Sequence, residues 1–211
     1  MKNATCFIYI FCILICVGCA HKPASERSAQ ELFDEAQKFA TKGLVEKASE
    51  RFMQVRTYYP ANELAKKSLL SMADLYYEHE EYDSALNSYE EFSLLYPTDP
   101  EASYCFYRTG LCHYQKRASF DRSQDETQKA IQTLEQFLRR YPNSPLADQA
   151  KENLKNAKIV MAKHYLYIGK FYLKKHKYEA ACNRFSYVKQ HYSGLGVDAD
   201  IDKLITKSCD R

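Results

Sequence analysis

Cysteine and histidine are the residues of this 211-residue chain whose chemistry could support catalysis or metal binding. Of its eight cysteines, the five from Cys19 onward form no Cys-x-x-Cys pair and, with the six histidines, no mixed cluster with the ligand spacing of a zinc site. The sequence also contains no nucleophile elbow and no phosphate-binding glycine loop. With six glycines and six prolines, a turn-rich β sandwich or a glycine-fingerprint nucleotide fold is disfavoured. We therefore expect a protein that is not an enzyme and that uses no metal or dissociable cofactor.

The N-terminus has the layout of an export signal. Lys2 precedes an unbroken apolar run, Phe7 to Val17, which ends at Gly18-Cys19-Ala20. This arrangement resembles a bacterial lipoprotein signal, cleaved after residue 18, in which the new N-terminal Cys19 carries diacylglycerol and a fatty acyl group. The signal would then be 1–18, and residues 19–28 would form a tether to the membrane.

An uncleaved membrane anchor is the alternative. Ala4 to Ala20 provides about 17 uncharged residues, which is the lower limit for a bilayer span. Both possibilities export the remainder of the chain and attach it to a membrane. If the lipoprotein interpretation is right, Ala20 beside the lipidated cysteine resembles proteins that are sorted to the outer membrane.

Four cysteines lie beyond the tether. Cys105 and Cys112 are seven residues apart, so on one helix they share a face but are about 10 Å apart along the axis. This separation is too large for a disulfide within that helix. Together with Cys182 and Cys209, they are expected to be thiols in a helical stack, most of them as small buried apolar residues.

The elements that position these residues follow from a repeated pattern of small, aromatic and proline residues. Ala36 in the first unit and Ala73 in the second occupy one template position, and Gly110 and Gly169 occupy it in the next two units. The pattern is that of the tetratricopeptide repeat, a helix–turn–helix unit of about 34 residues. It predicts an all-α solenoid of four helix–turn–helix repeats plus a partial fifth. Within a domain spanning 29–193, the repeats are placed at 29–62, 66–99, 103–144 and 162–195, with a partial C-terminal helix at 194–211.

Two irregularities interrupt the repeat. A polar insert, 116–127, separates the two halves of the third unit. A linker, 146–161, keeps a helical apolar rhythm and is expected to continue as one long helix into the fourth unit. The residues that carry this rhythm are Leu146, Ala150, Leu154, Ala157 and Met161.

The net charge of +3 conceals a strong asymmetry along the chain. From Met72 to Glu101 there are nine acidic residues and no lysine or arginine, whereas Lys151 to Gln190 contains ten basic residues and two acidic ones. The two segments could be solvated faces of opposite sign, or docking surfaces whose charge sets partner register and encounter rate. Binding to nucleic acid is a weaker interpretation, because an exported lipoprotein would rarely meet it.

Several motifs resemble the BamD family, the lipoproteins of the machinery that inserts β-barrel proteins into the bacterial outer membrane. The insert sequence 120–125 is similar to the family's Arg-Asp-Gln loop, with Ser123 in place of the more usual aspartate. Arg-Tyr-Pro-Asn-Ser at 140–144 and the segments 165–172 and 180–185 resemble its third- and fourth-repeat signatures. The resemblance covers roughly residues 19–193, and the family normally has a complete fifth repeat.

This resemblance implies an outer-membrane protein assembly factor. Its partners would be a BamA-like barrel component, other lipoproteins of the complex and unfolded outer-membrane proteins. It would be lipid-anchored on the periplasmic face of the outer membrane and would not bind nucleic acid. The alternative is another envelope tetratricopeptide lipoprotein scaffold, such as a pilus-assembly pilotin or a cell-division coordinator.

Two sets of residues are candidate binding sites. A tyrosine-rich wall on the first helices of the second and third units suits a peptide, because each ring offers apolar area and one polar tip. Several of these tyrosines could instead only cover the core. The peptide-groove set is Lys67, Leu70, Asp74, Tyr77, Tyr104, Tyr107, Leu111 and Tyr114, and the partner-docking set is Arg122, Lys170, Lys174, Lys175, Lys177 and Arg184.

Overall fold

The computed structural model describes residues 26–197 and 199–210. Cys19, the predicted signal and most of the predicted tether therefore lie outside the described residues. The described part of the chain is all-α, as predicted. Its helices are α1 (Ala29–Ala40), α2 (Val45–Tyr58), α3 (Glu63–Glu78), α4 (Tyr82–Leu95), α5 (Ala102–Gln115), α6 (Asp125–Arg140), α7 (Ala147–Lys174), α8 (Tyr178–His191) and α9 (Ile201–Cys209).

The helices stack in chain order as a tetratricopeptide solenoid. Each helix packs on the next one along the chain, and α1 also contacts α3 while α5 contacts α7. A first helix therefore contacts its own second helix and the first helix of the following unit. Because no helix pair can bury its apolar face alone, the core is built from the contacts between neighbouring units.

Small residues set the distance between the paired helices. A Cβ atom added at Gly169 would lie 2.5 Å from Cε1 of Phe185, and one added at Gly110 would lie 3.0 Å from Cδ2 of Leu134. The alanine at the equivalent position of the second unit, Ala73, is fully buried. These contacts confirm that the small template positions permit close approach of two helices.

The turn between the two helices of a unit also repeats. Gly43, Glu80 and His176 occupy the same template position and have φ angles of 68°, 62° and 57°. This left-handed conformation is readily adopted by glycine and unfavourable for most other residues. In each of these three units the next amide closes the turn by donating to a carbonyl five residues earlier: Leu44 to Phe39, Glu81 to Tyr76 and Lys177 to Tyr172.

The insert of the third unit folds back onto α7. The buried side chain of Gln124 donates to the carbonyl oxygens of Ser119 and Arg122, at 2.7 and 3.0 Å. His164 of α7 lies 2.6 Å from the carbonyl oxygen of Phe120 through its Nδ1. The insert is therefore attached to the helix that follows it, and α7 runs without interruption for 28 residues, as the apolar rhythm indicates.

The prediction that Cys182 and Cys209 are thiols is wrong. They form a disulfide, with their Cα atoms 5.1 Å apart, because α9 packs back along α8 and brings its last residue to Cys182. A chain exported to an oxidising compartment can keep such a bond. Cys105 and Cys112 are buried thiols, and burial raises the pKa of both, that of Cys112 to about 12.

In residues 26–197 and 199–210, each helix lacks the combination of length and apolar character that a bilayer crossing requires.

Candidate functional site

A polar network joins the second and third units in the predicted peptide groove. The hydroxyls of Tyr89 and Tyr104 both donate to Oδ1 of Asp74, at 2.6 and 2.7 Å. Nε of Arg108 donates to the Tyr89 hydroxyl at 3.0 Å, and the Arg108 guanidinium lies 3.6 Å from the ring centroid of Tyr77. Asp74, Tyr77 and Tyr104 of the predicted set thus meet at one place, linked by residues from α4 and α5.

Burial and the contacts between these groups fix the protonation states of this network. Tyr89 is fully buried, and burial, followed by the neighbouring Asp74 carboxylate, raises the pKa of its hydroxyl well above the usual value. Burial and the bond to Asp74 raise the pKa of Tyr104 in the same way. Burial alone would lower the pKa of Arg108, but interaction with the tyrosine hydroxyls raises it. At neutral pH the tyrosines therefore remain protonated donors and Arg108 remains charged.

Asp74 also reaches the surface. With Glu78 it lines an acidic cleft of about 280 Å³ between α1 and α3, whose other walls include Gln37, Phe52 and Ser71. A carboxylate in such a cleft can accept hydrogen bonds from the backbone amides or basic side chains of a peptide.

Lys67 and Leu70 line a second cleft, of about 330 Å³, where α3 meets the turn between α4 and α5. Nζ of the neighbouring Lys66 lies 2.8 Å from Oδ2 of Asp99, and this bond lowers the pKa of the Asp99 carboxyl. Lys67 is exposed and Leu70 is half-buried, and because Glu63, Asp99 and Glu101 also line this cleft, its charge is mixed.

Tyr107 is a core residue rather than a groove residue, which corrects the prediction made for it. It is buried, its ring lies 5.6 Å from that of Phe137, and its hydroxyl accepts a 3.0 Å bond from the Asn153 side chain. Leu111 is half-buried against the core of the third unit. Tyr114 is also half-buried, and Arg117 covers its ring at 3.9 Å from the centroid.

The predicted docking residues are distributed over four places. Arg122 is exposed on the insert, and Lys175 and Lys177 are exposed at the turn between α7 and α8. Arg184 is half-buried, with its guanidinium 5.6 Å from the ring centroid of Tyr165. Lys170 and Lys174 line one pocket of about 380 Å³, together with Leu173, His176, Tyr178 and Lys207.

Sequence reasoning missed several residues of these sites. Arg108 stands among the tyrosines of α5, and its spacing of four from Tyr104 could have indicated a shared helix face. Tyr167 and Phe171 are exposed aromatics on α7 at the same spacing, flanked by Lys170 and Lys174. Lys207 carries no such signal, because only the packing of α9 on α8 brings it to the pocket.

Among the residues that the structure describes, no three histidine, cysteine, aspartate or glutamate side chains come together as a metal-binding group.

Comparison with known proteins identifies a family match over residues 25–200, to YfiO, described as an outer membrane lipoprotein. A protein from Caulobacter vibrioides named outer membrane protein assembly factor BamD is 28% identical over 180 residues, which cover 84% of this chain and 59% of that relative. The protein of the same name from Pasteurella multocida is 27% identical over 206 residues, covering 91% of this chain and 78% of that protein.

One of the solved structures that this chain resembles is the crystal structure of MamA. Its TM-score is 0.43 at 18% sequence identity, and the match covers 86% of this chain and 90% of MamA. This similarity is too low to bear on the function of the chain.

Proposed function

Because the chain belongs to the YfiO family of outer membrane lipoproteins, we propose that it is an outer-membrane protein assembly factor. In this role it is a tetratricopeptide scaffold that binds a BamA-like barrel component and unfolded outer-membrane proteins. The family match over residues 25–200 is the observation that carries the proposal, and the names of the two relatives support it.

Membrane attachment is proposed to occur through Cys19. Diacylglycerol and a fatty acyl group on this residue would place the chain on the periplasmic face of the outer membrane. The capping box between Ser28 and Glu31 supports a short tether, because it starts α1 at Ala29, ten residues after Cys19. The repeats would therefore lie close to the bilayer in which the barrel partner is embedded.

The groove between the second and third units is proposed to receive a segment of an unfolded outer-membrane protein. The bonds of Tyr89, Tyr104 and Arg108 hold Asp74 in place before any ligand arrives, which reduces the entropy lost on binding. On the side of the first unit, the cleft beside Asp74 and Glu78 offers an acidic contact for a peptide, and the cleft at Lys67 offers an exposed amine beside Leu70.

The basic surface of the fourth unit is proposed to dock the barrel component. Lys170, Lys174, Lys175 and Lys177 form no ion pair within the described part of the chain, so their charge is available to a partner. Opposite charge on the partner would steer its approach and fix its register.

Affinity purification of the full chain from detergent-extracted membranes tests this function directly. We expect co-purification of a barrel-domain protein of the outer membrane, identified by mass spectrometry. Retrieval of a pilus secretin, with no barrel-assembly component, would replace the proposal with the pilotin alternative.

The docking surface can be tested with the double variant Lys175→Glu/Lys177→Glu. Both side chains are exposed, so the fold should be unaffected, and reversal should lower partner retention about fivefold at low salt. The loss should shrink at 0.5 M salt, because screening weakens exposed charges. The matched control is Lys42→Glu/Lys47→Glu in the first unit, and a salt-independent loss would argue against docking by charge.

The peptide groove can be tested with Lys67→Ala and Leu70→Ala. Titration with a fluorescent peptide from the C-terminal end of an outer-membrane barrel protein should show binding several-fold weaker than in the unmodified chain. The control is Leu94→Ala, because Leu94 is 79% exposed on α4 and lines neither cleft. Equal affinity of the unmodified chain and the three variants would show that the groove does not bind the peptide.

A further inference from the structure

The pocket at the α7–α8 turn collects positive charge from two distant parts of the chain. Lys170 and Lys174 lie one turn apart on α7, and Lys207 reaches the same pocket from α9. Leu173 forms an apolar wall, and the Tyr178 hydroxyl lies 3.0 Å from Nδ1 of His176. The hollow thus combines three amines with a partly apolar lining.

No carboxylate in the described part of the chain forms an ion pair with these three amines. Two carboxylates of the C-terminal segment have other partners: Asp202 is bonded to Lys189 at 2.6 Å and Asp200 to Lys203 at 3.3 Å. Like charges held together in one concavity repel each other, so binding of an anionic group relieves an unfavourable arrangement.

The position of Lys207 depends on how α9 is held. Ile201 at the start of α9 is buried in the core of the fourth unit, and Ser208 near its end is also buried. The disulfide from Cys209 to Cys182 then fixes the last residue of α9 to α8. Lys207 lies between these two attachments, so α9 brings the third amine to a defined place.

We propose that Lys207 of α9 completes a binding pocket with Lys170 and Lys174, and that this pocket takes carboxylates of an acidic protein segment. This inference rests on the proposed docking function and names the chemistry that the partner presents there. The Cβ atoms of residues four apart on a helix, such as Lys170 and Lys174, are about 5–6 Å apart. Alternate residues of an extended strand are separated by about 6.6 Å, so carboxylates at alternate positions of a strand match this pair.

The disulfide makes this pocket dependent on the thiol state of the protein. Without the bond, the end of α9 is held only by non-covalent contacts, and Lys207 is free to leave the two lysines of α7. The affinity of the pocket should then fall even though Lys170 and Lys174 remain in place.

The experiment uses the full chain in a neutral detergent and fluorescent hexaglutamate as the acidic probe. Lys207→Glu should weaken binding about fivefold at low salt. Lys155→Glu is the matched control, because Lys155 is an exposed lysine on α7 outside the pocket and its reversal changes the net charge equally. Cys209→Ser should weaken binding by a similar factor while retaining the helical circular dichroism signal.

Equal affinity in Lys207→Glu and Lys155→Glu overturns the proposal. So does preferential binding of the unmodified chain to phosphatidylglycerol vesicles with no binding of hexaglutamate, because the pocket would then recognise lipid phosphate. Partner retention separates the two proposals. If Lys170→Glu/Lys174→Glu loses the barrel component and Lys207→Glu does not, the role of Lys207 fails while docking by the fourth unit stands. If retention is unchanged in both variants, docking through this pocket fails as well.

Discussion

The second and fourth units have the same backbone arrangement but carry side chains of opposite charge at equivalent positions. Asp74 and Glu78 on α3 occupy the template positions of Lys170 and Lys174 on α7, and both pairs line a cleft. The turns that follow both contain a left-handed residue other than glycine. The helix pair and its turn are thus set by the small and aromatic positions, and the exposed positions are free to take either sign of charge.

The cores of the two units differ as well. Tyr89 in the second unit is replaced by Phe185 in the fourth, and both rings are fully buried. The Tyr89 hydroxyl is bonded to Asp74 and Arg108, whereas the Phe185 ring lies directly on Gly169. The second unit therefore fixes its helices with a polar network, and the fourth does so by closer contact.

Among the variants that test this comparison, Gly169→Ala should cause the largest loss of stability. The added methyl group would overlap the Phe185 ring, so we expect a loss of about 2–3 kcal/mol in the free energy of unfolding by urea denaturation. The second variant Gly169→Ala/Phe185→Leu should recover part of this loss. Unchanged stability of the single variant would mean that the fourth unit has no need of closer packing than the second.

Tyr89→Phe copies the residue of the fourth unit into the second. It removes a hydroxyl that bonds Asp74 and Arg108, so the expected loss is about 1–2 kcal/mol. The control is Tyr58→Phe, because Tyr58 is 47% exposed and its change should cost less than about 0.5 kcal/mol. A Tyr89→Phe protein as stable as this control would show that the network contributes nothing.

The same variant predicts a difference at alkaline pH. Because folding raises the pKa of Tyr89, its contribution is complete below the ordinary tyrosine pKa near 10 and is lost as the pH rises above it. Between pH 9 and 11, the free energy of unfolding should therefore fall more steeply with pH for the unmodified chain than for Tyr89→Phe. Parallel curves would contradict the assigned direction of the pKa shift.

Glu80→Gly should give the smallest effect. Glycine removes the cost of a left-handed backbone but adds freedom to the unfolded chain, so we expect a net gain of about 0.5 kcal/mol in thermal or urea unfolding. Gly43→Ala in the first unit is the converse test and should lose about 1 kcal/mol. A loss of stability in Glu80→Gly would indicate that the Glu80 side chain contributes more than its backbone costs.

The repeat could be predicted from sequence because its signal lies in residues that pack locally. Ala73, Gly110 and Gly169 mark places where two sequential helices touch, and their spacing survives any change at the surface. The long helix α7 was predictable for the same reason, since its apolar rhythm continues from the linker into the fourth unit.

The parts that escaped prediction depend on contacts between segments far apart in sequence. Cys182 and Cys209 have no spacing motif, and they meet only because α9 packs back on α8. Tyr107 fits a surface template, but Asn153 and Phe137 approach it from the next helices and bury it. The site residues of the groove and the basic surface remain predictions that the proposed variants test.

The continuous helix α7 gives the protein a mechanical property. Its 28 residues span about 42 Å, with Ala150 in the core of the third unit and Met161 in the core of the fourth. A load applied to the fourth unit by a bound partner would pass along this strut into the third unit without crossing a flexible joint. Amide exchange along α7 should accordingly fall gradually from its C-terminal end, rather than change abruptly at the boundary between the units.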